Sequence, residues 1–279
     1  MRPFQQVDVF SSQSLRGNPV AVVHDAAGLN TEQMERFTRW TNLSEATFLL
    51  PPTDPAADYR VRIFTQIGEL PFAGHPTLGT CHAWLAAGGQ PRDPGRIVQE
   101  CPAGLIPIRR IDGVLAFAAP PTTRSGPVSA DDLERIARIL GIEVDDIVDS
   151  QWADNGPGWV AVMLESAEAV LALRPTGDGE HIDIGVVGMY PDGAECAYEV
   201  RAIFTNDRQE VMEDPVTGSL NASVAQWLVG SGRVTPPYSA SQGTAMDRAG
   251  RPRISQDGDG AIWVGGATRT VISGEVDVE

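Results

Sequence analysis

The sequence predicts a mixed α+β protein made of two related halves. Three observations carry this. Short apolar runs bounded by Gly, Pro, Asn and Ser outnumber helical patterns along the 279 residues. A strand–loop–helix pattern occurs twice. A Pro-, Ser- and Thr-rich stretch, Ala119–Gly126, separates the two copies. The halves predicted are residues 1–119 and 127–279, with 119–126 as a linker. The course of the tail Gly274–Glu279 stays open, a crossing back to the first half included.

In chain order, Phe4–Phe10, Pro19–Val23, Thr47–Leu50, Tyr59–Phe64 and Val114–Ala118 read as strands. Trp159–Leu164, Glu199–Phe204, Ala261–Val264 and Thr270–Ile272 read the same way in the second half. Thr31–Trp40 follows the cap residue Asn30 and sets Met34, Phe37 and Trp40 on one helical face. Ser129–Leu140 is the strongest helix. Ser129 suits an N-cap, Asp132 sits where a capping acid belongs, Gly141 ends it, and Leu133, Ile136, Ala137 and Leu140 share a face. Ala169–Leu173 is a shorter helix, stopped before Pro175.

The repeat is read from two alignments. Arg62-Ile63-Phe64-Thr65 is echoed in Ala202-Ile203-Phe204-Thr205, an offset of 140. Glu69–His75 aligns with Glu213–Ser219, sharing Glu, Pro and Gly at an offset of 144. Apolar helical segments follow, Leu78–Leu85 and Leu220–Val229. Glycine lets a ligand approach the backbone, and Pro76 fits a first helical turn, where its missing N–H costs nothing. The first amides of a helix lack intrahelical partners and favour an anion. Two such loops facing one cleft would suit a small carboxylate. They differ where chemistry would sit: His75 against Ser219, and Leu70 against Asp214. Unlike polar groups on a duplicated scaffold can serve as acid and base. Glu45, at the entrance of an apolar strand, is a third candidate. On sequence alone it reads first as an ordinary exposed turn, and otherwise as a desolvated proton shuttle.

Composition removes other classes. A net charge of −16 argues against nucleic acid as a partner. No stretch of 18 apolar residues crosses a membrane, and Met1–Phe10 lacks the pattern of a signal peptide, so a cytoplasmic protein is predicted. All 21 basic residues are Arg, which excludes a lysine Schiff base and a P-loop lysine. Cys81, Cys101 and Cys196 form neither a disulfide framework nor a CxxC pair, and the four histidines show no metal-ligand spacing, so no metal site is predicted. His24 and His181 read as surface or turn residues, and Cys81 and His82 as parts of a packed helix.

At Val7–Phe10, Gly17–Val23, Asn42–Phe48, Glu69–Gly79 (ELPFAGHPTLG) and Glu213–Ser219 (EDPVTGS) the chain resembles the PhzF-like phenazine-biosynthesis isomerases, which share the diaminopimelate-epimerase fold. These segments occur in the family's order over essentially the whole chain. The resemblance implies two pseudo-symmetric lobes, each a curved, mostly antiparallel sheet or barrel around a central helix, with the active site between them. It also implies a homodimer working without cofactors. Glu45 then resembles the general acid/base, His75 and Asp214 the groups that assist proton movement, and Gly74, Gly218 and Ser219 the cradle of a substrate carboxylate. The two catalytic cysteines of the epimerase branch are absent. Leu220 and Asn221 depart from the family pattern and are expected to alter the shape of the pocket.

The resemblance therefore implies an isomerase that moves a C=C bond in a small unsaturated cyclic amino acid or carboxylic acid, like trans-2,3-dihydro-3-hydroxyanthranilate isomerase. An amino-acid racemase or epimerase and a noncatalytic binder of small carboxylates are the alternatives.

Overall fold

The computed structural model describes residues 1–176, 182–206 and 210–278, so His181 lies outside the described residues. The first stretch of chain holds β1 (Arg2–Val9), β2 (Asn18–Val23), α1 (Thr31–Thr41), β3 (Glu45–Leu50), β4 (Tyr59–Thr65), β5 (Glu69–Leu70), α2 (Gly74–Ala86), β6 (Ile97–Cys101), β7 (Gly104–Ile111) and β8 (Val114–Ala118). There follow β9 (Arg124–Gly126), α3 (Ala130–Leu140), β10 (Asp149–Asp154), β11 (Val160–Leu164), α4 (Ala167–Ala172), β12 (Asp183–Met189), β13 (Tyr198–Thr205), β14 (Val211–Asp214) and α5 (Gly218–Gly230). Last come β15 (Tyr238–Ser239), β16 (Ser241–Gln242), β17 (Arg253–Gln256), β18 (Ile262–Gly266) and β19 (Thr268–Val276).

The chain divides into two units, Met1–Ala118 with Gly265–Glu279, and Ala119–Val264. This differs from a second half running through residue 279. The reason is strand pairing: β19 lies antiparallel to β1, from Arg2 opposite Val276 to Val9 opposite Thr268. The predicted linker differs too. Within it, Arg124–Gly126 forms β9, paired with β10, and the Arg124 guanidinium stacks 3.3 Å from the Trp152 ring centroid.

In the first unit the strands run β8-β7-β6-β4-β3-β2-β1-β19, with β5 on β4. Most neighbours are antiparallel; β2–β3 and β4–β6 are parallel. Helix α2 is buried continuously from Gly74 to Cys81, as its all-round apolar sequence requires. Gly79 makes this packing possible, because a Cβ there would lie 2.3 Å from Val20 Cγ1. Helix α1 is amphipathic and starts with a capping box between Asn30 and Gln33. Its Phe37 joins an edge-to-face chain of rings, Phe4–Phe37–Phe48–Phe64.

The second unit has strand order β14-β13-β12-β11-β10-β9, with β16 on β13. Its two faces follow the two-residue alternation of the strands. Tyr198, Val200 and Ala202 pack with Leu220, Val224 and Leu228 of α5. Ile203, Val160 and Val162 pack with Ile136, Ile139 and Leu140 of α3 and Val170 of α4. Helix α3 is capped by Ser129, which accepts from the Asp132 amide, and ends at left-handed Gly141. No helix among the described residues is long and apolar enough to cross a membrane.

The duplicated hairpins correct the repeat by one residue. Phe64 lies opposite Glu69, and Ile203 lies opposite Glu213. With Glu69 matched to Glu213, Arg62 matches Arg201, not Ala202, and Tyr59-Arg60-Val61-Arg62 matches Tyr198-Glu199-Val200-Arg201. The chemistry agrees. Arg62 pairs with Glu69 at 2.6 Å and Arg201 with Glu213 at 2.7 Å, each through two guanidinium nitrogens. Tyr59 and Tyr198 are both fully buried.

Candidate active site

The first unit brings two predicted residues together. Glu45 opens β3, with its side chain 16% exposed. This overturns its reading as an exposed turn: β3 is a central strand, so its first side chain is half enclosed. His75 is in the first turn of α2 and is buried. Its Nε2 faces Glu45 Oε2 at 3.4 Å, longer than an ordinary N–H···O bond. Burial drives the His75 pKa down from 6.5 to about 3, against a smaller opposing effect of the Pro19 backbone carbonyl. The imidazole is therefore neutral at physiological pH. On its other side, Nδ1 lies 3.3 Å from the Asn18 amide nitrogen.

Gly74 begins α2 after Ala73, an extended residue that supplies no side-chain cap. The first intrahelical bond runs from the Thr77 amide to the Ala73 carbonyl. The turn thus presents the Gly74 and His75 amides without a capping side chain, while Pro76 has no amide to place.

The second unit repeats this entry. Gly218 begins α5 after extended Thr217, again with no side-chain cap, and the Asn221 amide bonds the Thr217 carbonyl. Asp214 ends β14, and its carboxylate accepts the Thr217 hydroxyl at 2.5 Å. Gln242 braces the same loop. Its carbonyl accepts from the Thr217 amide and Asn221 Nδ2, and its amide donates to the Asp214 carbonyl and the Thr217 hydroxyl. Ser219 Oγ accepts the Trp159 indole N–H at 3.0 Å, which leaves its own proton to donate.

Other expectations resolve differently. Leu220 and Asn221, expected to alter the pocket, are packed into the second unit. Both are wholly buried, Leu220 in the core beneath Gly185 and Asn221 in the Gln242 network. His24 is buried rather than on the surface, and burial lowers its pKa. His82 is half-buried on α2, between the hydroxyls of Thr268 and Thr270. Cys81 is buried, with its thiol pushed up to about 12, so it is no nucleophile. Among the described residues no three His, Cys, Asp or Glu side chains gather as metal ligands.

Sequence reasoning missed Asn18, Thr217 and Gln242. Gly17-Asn18-Pro19 reads locally as a turn. The signal in Thr217 was its place in the repeated loop, opposite Ala73. Gln242 carries no local signal, because it reaches the loop from a strand remote in sequence.

The fold and the relatives together define an isomerase. The chain belongs to the PhzC-PhzF family of phenazine-biosynthesis-like proteins, whose model matches residues 7–274. It is 34% identical over 93% of its length to trans-2,3-dihydro-3-hydroxyanthranilate isomerase of Pseudomonas aeruginosa, 92% of which is covered. It is 35% identical to antisense-enhancing sequence 1 of Schizosaccharomyces pombe, over 98% of this chain and 97% of that one. A solved structure described as a predicted epimerase from Pseudomonas aeruginosa superimposes with a TM-score of 0.80 at 26% identity, covering 99% of both chains.

Proposed function

We propose that this isomerase moves a C=C bond in a small unsaturated cyclic amino acid or carboxylic acid by carrying one proton on Glu45, without a cofactor. The observation behind this is the pair of Glu45 and a buried, neutral His75 at 3.4 Å. A half-buried carboxylate beside an uncharged donor is equipped to act as a base and then as an acid. Glu45 accepts the allylic C–H proton, and the released electron pair spreads over the neighbouring double bond. The protonated carboxyl then returns the proton to the far carbon, so the double bond shifts with no net change in composition. His75 Nε2 lies beside Glu45 Oε2.

In the same proposal the Gly74 amide takes a substrate carboxylate, as do the Gly218 amide and the Ser219 hydroxyl. Asp214, fixed by Thr217, holds a polar substituent. The reaction named for the Pseudomonas aeruginosa relative supplies the first substrate to try. A cytoplasmic homodimer completes the proposal, and sedimentation equilibrium at the mass of one 29.8 kDa chain would overturn that part.

The deciding experiment is proton NMR in deuterated water with trans-2,3-dihydro-3-hydroxyanthranilate. Wild type should shift the double bond, with deuterium entering to the extent that the proton on Glu45 exchanges with solvent before its return, while Glu45→Gln should do neither. Equal conversion by both would remove Glu45 from the chemistry. A second reading, racemisation or epimerisation, is favoured by the superimposed predicted epimerase. Loss of optical activity without double-bond movement would select it.

A further inference from the structure

The His75 ring has a neighbour at each nitrogen, and the two neighbours differ in kind. Asn18 Nδ2 lies 3.3 Å from Nδ1, and Glu45 Oε2 lies 3.4 Å from Nε2. An amide N–H donates, so Nδ1 acts there as the unprotonated acceptor. A neutral ring carries one proton, which then sits on Nε2, on the side of Glu45, although at 3.4 Å the two atoms make no hydrogen bond. This assignment follows from the orientation of the Asn18 amide.

Asn18 is itself held from behind. It is wholly buried and stands opposite Val9 at the start of β2. The turn before it is tied to Asp8, a carboxylate 2% exposed. Asp8 accepts the Arg16 amide at 3.0 Å and the Gly17 amide at 3.1 Å to each oxygen. The chain passes so close at Gly17 that a Cβ would lie 2.2 Å from the Val9 carbonyl oxygen and 2.8 Å from Asp8 Oδ1. Only glycine fits. A run of contacts thus leads from β1 through the turn to Asn18, then to His75, then to Glu45.

We propose that Asn18 is a positioning residue that fixes the Nε2–H tautomer of His75 and keeps that proton on the Glu45 side of the ring, with Asp8 and Gly17 keeping Asn18 in register. Its effect on turnover rests on the isomerase reading above; its effect on the ring rests on geometry alone. An Nε2–H beside Glu45 favours the carboxylate, the form that takes the first proton. The other tautomer would set a lone pair against that carboxylate and weaken the base. The Pro19 carbonyl, also within reach of the ring, competes for the same proton.

Long-range proton–nitrogen NMR of the histidine rings tests this without a substrate, the His75 signals being assigned by their loss in His75→Asn. Wild type should show a protonated Nε2 and a bare Nδ1. Asn18→Asp, which puts an acceptor where the donor was, should move the proton to Nδ1, and Asn18→Ala should leave a mixture. A wild-type ring protonated at Nδ1, or an Asn18→Asp ring unchanged from wild type, overturns the proposal, whether or not the chain turns over dihydrohydroxyanthranilate. If either variant fails to fold, the wild-type spectrum still decides. With turnover in hand, Asn18→Ala should lower kcat about 10- to 100-fold and leave KM unchanged. Equal changes in both would point to a structural role only.

Discussion

The two loop–helix entries share a scaffold and hold their acidic groups in opposite ways. In each, a hairpin with an Arg–Glu pair leads to an extended residue, then to an uncapped glycine that starts a buried helix. In the first, Glu45 and His75 face each other across 3.4 Å. In the second, Asp214 is held by a 2.5 Å hydrogen bond from Thr217, and Gln242 ties the loop down at four points. In the proposed function, Glu45 takes and releases a proton beside a neutral ring, while Asp214 holds a substituent with its carboxylate fixed by the Thr217 hydroxyl, and a strong bond to a charged carboxylate opposes its protonation. That proposal gives the two copies of the repeated frame different tasks.

The largest expected effect tests that division. Glu45→Gln should lower kcat about 10²- to 10⁴-fold, the usual worth of a general acid/base, whereas Asp214→Asn should act mainly through KM. Steady-state kinetics of both variants would break the comparison if Asp214→Asn lost kcat as heavily with KM unchanged.

A smaller effect isolates the burial of His75. Its folded pKa, about 3, lies below the 6.5 of an unburied ring, so between these values the unfolded chain binds the extra proton. The stability linked to this ring is complete above pH 6.5 and falls as the pH drops toward 3, by about 1.4 kcal/mol per pH unit. Urea unfolding at pH 6.5 and 4.5 should show wild type losing more stability than His75→Gln. Equal losses would mean the ring is not desolvated.

The smallest effect concerns how each helix meets its sheet. In the first unit the close approach is made by a helical glycine, Gly79, against stiff, β-branched Val20. In the second, the glycine is on the strand, and a Cβ on Gly185 would lie 2.4 Å from Leu220 Cδ1, the end of a flexible side chain. Gly79→Ala should therefore cost about 1–3 kcal/mol, and Gly185→Ala less. Thermal unfolding that ranks them the other way would show that the first interface has the room to adjust.

What was legible in the sequence was local. The caps at Asn30 and Ser129 and the stop at Gly141 depend on a few neighbouring residues, and both helices form there, but Trp40, read on one face with Met34 and Phe37, is 81% exposed, and Thr38 is buried with them instead. The strand β12 was missed because Gly185 and Gly188 interrupt its apolar run. In the fold those glycines admit Leu220 on one side and Ser166 and Val170 on the other. The hairpin of β6 and β7 was missed because Pro102, Gly104 and Pro107 read as breakers, while Pro107 takes a paired position opposite Val98. The repeat was aligned on Ile-Phe-Thr, an apolar identity that many strands could share. The Tyr-x-Val-Arg match carries the buried ring and the ion pair, and it became visible through the hairpin register. His75 was a candidate from the duplicated loop and Glu45 from its place at a strand entrance, but their roles came from the family resemblance, since nothing local says that a strand's first residue and a helix's second will meet. Asn18 was lost because its role depends on a proton on another element.

The position of β1 in its sheet sets an order on the making of the protein. Strand β1 lies between β2 and β19. A ribosome releases β1 before β19, with the whole second unit between them in the chain. The second unit is an unbroken run of chain, complete once Val264 has been made. The first keeps an open flank along β1 until Thr268–Val276 has been synthesised and has come back to fill it. The chain translated ahead of the second unit, Glu45 and His75 included, belongs to a sheet that is completed after that unit.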